Sequence, residues 1–469
     1  MRYQTCVEQQ NWIVYSVFQC QRVYLAYTLL FKLIVSSADC PTIVLFQNKN
    51  IPLFTYLCNK YVISFVNFLN KRIFVSLYCL QFYLNRMPSV EIKKVESRRD
   101  LKKFVDVHYD LYEGNEYDVP NLFMDDMNTL RKDKNAAFEF CEAEYYIAFK
   151  EGKAVGRVAA IINHRANEKW NKKSVRFGWI DFIDDIEVSR ALFEQVEEYG
   201  RSKGMTEIVG PLGFTDMDPE GMLTWGFDKL STMITIYNYP YYPQHLEQLG
   251  GWEVDQEYVE YFLDVPKEIP EKYAKVAEIV ENRYNLHIKK LTRRELRTTD
   301  YGRQVFGIIN ETYKDLYGYS ELSEKQIDHY VNMYLRFADL NMITLIEDWN
   351  KDKKLIGVGI SIPSLSYALQ KCRRGRLLPF GWWYLLRAIK FQKTGGGGDL
   401  LLLGVLPEYR SKGANALLFT DLIPVFNKYG FTWAESQVEL VTNEGVQSQW
   451  GPLKPTNHKR RCCYRKEIK

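Results

Sequence analysis

The feature that most constrains this chain is an internal repeat: past residue 140 one layout of elements is written twice. Residues 144–162 read as two strands around the turn Glu151-Gly152-Lys153, the second strand running Ala154-Val155-Gly156-Arg157-Val158. Residues 342–362 repeat this, with a charged turn at 350–354 and then Leu355-Ile356-Gly357-Val358. Downstream, each copy shows a strand (177–183; 400–406), an amphipathic helix (188–203; 414–428) and another strand (207–209; Phe431 onward). Both helices stop at a glycine, Gly204 and Gly430, as helix C-termini prefer. The second copy carries about 25 extra residues between its hairpin and its next strand. The expectation is two similar domains, 87–265 and 282–469, joined by the charged segment 266–281.

Residues 1–86 are written differently. All 28 glycines fall after residue 86, and this stretch holds eight Lys/Arg against two acids, Glu8 and Asp39. The net charge of +4 therefore leaves −2 for the remainder, which is no strongly basic nucleic-acid binder. Its apolar runs are broken by Arg22, Lys32, Lys60 and Lys71 and fall short of the roughly 18 residues of a membrane span. Glu8 and the lack of a small-residue cleavage site fit a signal peptide poorly. The favoured expectation is a start placed too early, the protein beginning at Met87. The rival is a hydrophobic membrane-associating leader. The nine cysteines form no CxxC pair, and no Cys/His cluster has zinc spacing, so neither metal nor disulfide is expected and a reducing, cytoplasmic setting is.

The chemistry sits in the second copy. An apolar strand, Leu400 to Leu406, meets Pro407, and a short loop, Arg410-Ser411-Lys412-Gly413, opens a helix. Unpaired N–H groups and the dipole at a helix start attract anions, and Gly allows close backbone approach. The same text also fits a plain strand–turn–helix with a solvated basic turn. Val405-Leu406-Pro407 followed by Arg410-Ser411-Lys412-Gly413-Ala414 resembles the GNAT superfamily of acyl-CoA N-acyltransferases, whose signature is V-x-P and then [QR]-x-x-G-x-[GA]. The chain departs at Asn415, where a small residue is expected, which narrows the cradle. The resemblance implies a mixed α/β fold with two GNAT-like domains in tandem, each a central mixed sheet flanked by helices. It implies acetyl-CoA or a longer acyl-CoA as co-substrate, held by Val405, Leu406 and 410–415, with Asn443 against the CoA arm. In the first copy, Ile183-Asp184-Asp185-Ile186-Glu187 stands at the loop position, and its acids repel a pyrophosphate. That copy is expected to bind no CoA.

An amine acceptor loses a proton before attack, because an alkyl ammonium has a pKa near about 10. The family commonly uses a Glu as base and a Tyr as acid, and Trp450 stands where that Tyr is usual. Glu435, Gln437 and Glu439 alternate along 431–441 and are expected on one face. Glu435 is the candidate base and Tyr464 the candidate acid, each also readable as an ordinary strand residue. Cys462 and Cys463 have no His/Asp partners that would make a nucleophile.

Two stretches speak to the acceptor. The loop Gly210 to Gly221 carries Asp216, Asp218 and Glu220, suited to an ammonium, and is followed by Tyr237-Asn238-Tyr239-Pro240-Tyr241-Tyr242. A rigid interdomain loop would read the same. The insertion places Leu378, Trp382, Leu385, Leu386 and Ile389 at helical spacing among Arg and Lys. That suits a lipid interface, hence peripheral contact at the cytoplasmic membrane face, or a core-facing helix with snorkelling bases. Gly395–Gly398 reads as a hinge that lets this helix act as a lid. Both stretches resemble a bacterial tandem-GNAT branch associated with proposed bacterial ceramide synthases, which implies a long-chain, sphingoid-type amine acceptor. The alternatives are a small-molecule or protein N-acetyltransferase, a GNAT-fold aminoacyl-tRNA-dependent transferase, and a non-enzymatic binding protein. Nucleic acid is not an expected partner.

Overall fold

The computed structural model describes residues 90–469 except 336–337 and 392–395. The expectations for residues 1–86 and for a start at Met87 lie outside the described residues.

The first half runs β1 (Glu91–Lys94), α1 (Arg98–Leu111), β2 (Cys141–Lys150), β3 (Lys153–Asn163), β4 (Ser174–Phe182), α2 (Ile186–Ser202), β5 (Glu207–Gly210), β6 (Met222–Trp225), α3 (Tyr241–Leu249) and β7 (Glu253–Asp264). The second runs α4 (Glu271–Tyr284), β8 (Leu286–Lys289), α5 (Tyr301–Tyr313), β9 (Ile343–Asp348), β10 (Lys354–Pro363), α6 (Gly381–Phe391), β11 (Gly397–Val405), α7 (Asn415–Tyr429), β12 (Trp433–Ser436), β13 (Glu439–Leu440) and β14 (Thr456–Glu467). Short helical turns lie between these elements. The fold is mixed α/β, a large mixed sheet flanked by helices, as expected. Glu151 and Gly152 take the positive φ that a two-residue hairpin requires, and Gly430 ends α7 in the left-handed region.

The strands form one sheet in the order β1-β2-β3-β4-β5-β14-β7-β12-β11-β10-β9-β8. Among the described residues only β4–β5 and β11–β12 are parallel. The centre is an exchange. β14, the last strand of the second half, inserts between β5 and β7 of the first. β7, the last strand of the first half, lies between β14 and β12 of the second. Residues 88–469 accordingly form one compact unit. The segment 266–281, expected as a connection, contains most of α4, whose Tyr273, Ala277 and Val280 are buried at helical spacing.

The start of the insertion is tied to the first half, while Gly395 of the expected hinge lies outside the described residues. Arg374 reaches Asp106 at 3.0 Å and Asp110 at 2.5 Å on α1, Arg376 reaches Asp106 at 3.2 Å, and Gln370 donates to the carbonyls of Glu116 and Asp118. Gly397 and Gly398, expected in a hinge, are buried in β11. A Cβ on Gly397 would lie 2.0 Å from the Trp433 ring, so glycine is required there by close packing. Trp382 and Trp383 are 48% and 44% exposed on the outer side of α6, so this helix is not the core-facing one.

Candidate active site

β11 and β12 pair only from Gly397 to Leu400, opposite Trp433 to Ser436. Beyond that point they separate, and β13 pairs with β7 instead. Leu400 to Leu403 are half-buried in a row along this opening, whereas β4 at the equivalent place is buried at every position but Trp179. The first-half opening is filled by its own chain: Leu212 donates its N–H to the Phe177 carbonyl at 2.9 Å, and Gly178 lies directly under the Leu212 carbonyl. The two copies thus share a layout, but among the described residues only the second leaves the gap between its separating strands, here called the cleft, without a backbone segment filling it.

The helices that start beside these clefts differ in the same sense. Asp185 caps α2, accepting from the Glu187 N–H at 3.0 Å and pairing with Lys150. A carboxylate already occupies that anion site. α7 follows Ala414 with no side-chain cap. Lys412 and Gly413 donate to Tyr409 and Arg410, while the N–H groups of Ala414 and Asn415 have no backbone acceptor among the described residues. Lys412 lies with its ammonium over Tyr409 and Tyr284, and Ser411 is exposed. These features fit a pyrophosphate. Arg410 acts as a brace, its guanidinium donating to the carbonyls of Val405 at 3.0 Å and Thr312 at 3.2 Å. Asn415 donates to Gln449 at 3.0 Å, and its buried Oδ1 has no partner among the described residues. Val405 and Leu406 are buried under the loop, and Asn443 starts a short turn at 444–447. Gly413 has φ +80, and a Cβ there would meet Val276 of α4 at 2.7 Å. Larger residues at 413 therefore strain the fold as well as the loop, so Lys412→Glu is the cleaner test.

Glu435 and Glu439, expected on one face, are on opposite ones. Glu435 accepts from His458 at 3.0 Å and pairs with Lys459, and Gln437 accepts from Thr232. Glu439 accepts from Trp450 Nε1 at 2.9 and 3.1 Å, and Trp450 packs on Phe419 of α7. The break between β12 and β13 at residues 437–438 interrupts the alternation. Burial pushes the Glu439 carboxyl up to about 7, against the hydrogen bonds from Trp450 and Ser436. Tyr464, the expected acid, packs against the first-half core with Trp252 and Ile468.

Sequence reasoning named Glu439 but preferred Glu435, and it did not single out Tyr313. The Tyr313 hydroxyl lies 3.3 Å from both the N and the O of Leu403, at the far end of the half-buried leucine row. Burial pushes this hydroxyl up to about 12, and the carboxylates of Glu439 and Asp216 push the same way. The residue after Asp216, Met217, packs against the same core as Tyr313. The loop that carries both acid and methionine crosses from the first half to this second-half core. Arg176 clamps it, donating to the carbonyls of Gly213 at 3.1 Å and Gly318 at 3.0 Å. Asp218 braces the turn by accepting from the Thr215 N–H. Asp216 and Glu220 are half-buried and make no side-chain hydrogen bond among the described residues. Burial raises Asp216 to about 7, with the Asp218 charge pushing the same way, and burial raises Glu220 well above its ordinary range, with the Asp216 charge adding to it. A surface depression of about 530 Å³ around Lys172, Thr206 and Glu207 shares no residue with this cleft.

Among the described residues no group of three His, Cys, Asp or Glu is placed to hold a metal ion. No helix among them is long and apolar enough to cross a membrane.

No family model matches the chain. It is 25% identical over 363 residues to the "Bacterial ceramide synthase" of Caulobacter vibrioides, covering 74% of this chain and 91% of that protein. It is 25% identical over 384 residues to "Protein YghO" of Escherichia coli, covering 79% and 94%. Among solved structures, a tandem GNAT protein from the clavulanic acid biosynthesis pathway covers 81% of this chain and 99% of its own, at 13% identity and a TM-score of 0.48. A GCN5-related N-acetyltransferase from Sphaerobacter thermophilus covers 81% and 96%, at 11% identity and a TM-score of 0.46. The chain is thus similar in sequence to a protein named bacterial ceramide synthase, and the two solved structures it resembles here are named as a tandem GNAT protein and a GCN5-related N-acetyltransferase.

Proposed function

We propose that this chain is an acyl-CoA-dependent N-acyltransferase whose acceptor is an amine on a long apolar chain. The observation that carries the reading is the second-half cleft. It joins an uncapped helix start, a half-buried row of leucines and a recessed acidic loop, while the first-half counterpart is capped and filled. The pyrophosphate of CoA would be held at 411–415, with Lys412 supplying charge. The thioester supplies the activated acyl group. Asp216 and Glu220 receive the ammonium, since two carboxylates that disfavour each other's charge are relieved by a cation. Glu439 takes the amine proton, and Tyr313 positions the reacting groups along Leu403. The relative named as a ceramide synthase points the same way, because a ceramide is an N-acylated long-chain amino alcohol.

The test follows thiol release from acyl-CoA across amines of increasing chain length. Each buried CH₂ contributes about 0.8 kcal/mol, so kcat/KM should climb steeply with chain length. Equal use of short polyamines and amino acids would replace this reading with a general small-molecule transferase.

Two controls separate donor from acceptor. Lys412→Glu should weaken CoA binding about tenfold or more by calorimetry, leaving the melting temperature unchanged. Asp184→Asn with Asp185→Asn should leave CoA affinity as it was, because Asn still caps α2. Loss of CoA on that change would move the nucleotide to the first half. Asp216→Asn with Glu220→Gln should raise KM for the amine about 10- to 100-fold and leave CoA binding alone.

A further inference from the structure

The insertion in the second half builds a surface that the cleft does not use. The 46 residues from 353 to 398 contain no Asp or Glu, while Lys and Arg recur through them. Arg374 and Arg376 are consumed holding the insertion to Asp106 and Asp110. Arg373 and Arg387 make no ion pair among the described residues. The charge facing outward here is therefore positive and uncompensated.

Between these bases stand large apolar side chains. Leu378 is 77% exposed, Phe380 69%, Leu386 37% and Ile389 40%, beside Trp382 and Trp383. On α6, Gly381 and Ala388 face the protein and are buried. Trp382, Leu386 and Ile389, at i, i+4 and i+7, share an outward stripe. Arg387 lies beyond it on the same helix. Ordinary surfaces scatter such residues singly, and their concentration on one short element marks a contact face.

We propose that this face docks on an anionic lipid bilayer, with the Trp pair and Leu378/Phe380 entering the headgroup–acyl boundary and Arg373 and Arg387 meeting lipid phosphates. Three observations favour a bilayer over a protein partner. The side chains protrude rather than line a groove. Indole rings beside arginine match the chemistry of the membrane interface. A stretch free of acids avoids repulsion by an anionic leaflet. The inference does not rest on the acyl-transfer reading, and its test contains no activity measurement.

The full chain is mixed with phosphatidylcholine vesicles holding phosphatidylglycerol at zero or one third of the lipid, and the bound fraction is read by flotation at low and high salt. Binding is expected on the anionic vesicles and should fall at high salt. Trp382→Ser with Trp383→Ser should lower the partition at least tenfold and remove quenching of tryptophan fluorescence by brominated lipid. Arg373→Gln with Arg387→Gln should weaken anionic binding without shifting the melting temperature, since both side chains are free of internal pairs. The proposal is overturned if the parent ignores anionic vesicles, or if parent and Trp variant bind equally. It is equally overturned if the Trp variant instead abolishes a dimer seen by sedimentation, which would make the face a contact between copies.

Discussion

Glu439→Gln is expected to lower kcat/KM by about 10²–10⁴-fold while CoA affinity and melting temperature stay as they were. The side chain is 9% exposed and held by the Trp450 indole N–H, which a glutamine oxygen accepts equally well, so the change removes a proton acceptor and little else. Burial places this carboxyl near 7, where it is a stronger base than a solvated glutamate yet still substantially ionised at neutral pH. Only the ionised form accepts a proton. Activity should therefore rise with pH through about 7, and that limb should vanish in the Gln variant. Trp450→Phe provides the signed companion. The indole N–H favours the carboxylate, so its loss should move the limb to higher pH. A Gln variant within threefold of the parent would exclude Glu439 as the base and return attention to Glu435.

Lys459→Met should cost about 3–5 kcal/mol of stability, read as a melting temperature lower by about 4–6 °C. Lys459 is fully buried on β14, its ammonium between Glu260 of β7 at 3.1 Å and Glu435 of β12, with a hydrogen bond to the Leu230 carbonyl at 3.0 Å. Methionine fills the space but leaves two buried carboxylates short of a cation. Asp399, also fully buried and opposite Glu435 in the sheet, adds a further acid that burial raises to about 8. The pH dependence has a definite sign. Burial raises Glu260, but Arg461 and Lys459 together bring it down to about 2, below its ordinary 4.5. A depressed carboxylate contributes stability above its unfolded value, and that contribution is lost as pH falls through the folded one. Without Lys459 the depression shrinks, so the acid-unfolding midpoint should move to higher pH. An unchanged acid midpoint would show that Arg461 alone holds Glu260.

The sequence by itself determined the local and periodic parts of this protein. The two hairpins, the two helices closed by glycines, the duplicated order and the loop at 410–415 are all written in residues close together, where turn chemistry, capping and helical spacing act. It also marked Asp216, Asp218 and Glu220 as unusual, because acids in a Gly/Pro-punctuated loop have few ordinary uses. Tertiary structure decided the rest. The exchange of β7 and β14 depends on strand pairs some two hundred residues apart, such as Arg461 with Tyr258, and no local pattern encodes such a partner. The run His458-Lys459-Arg460-Arg461 reads as an exposed edge, yet Lys459 and Arg461 are fully buried because Glu260 and Glu435 arrive from other strands to meet them. Glu439 could not be told from Glu435 by alternation, since a two-residue break turns it to the other face. Trp450 stood where an acid was sought, and only packing made it the residue that holds Glu439. Periodicity fixes which residues form an element. Which charged groups leave water is set by partners that the fold alone brings together.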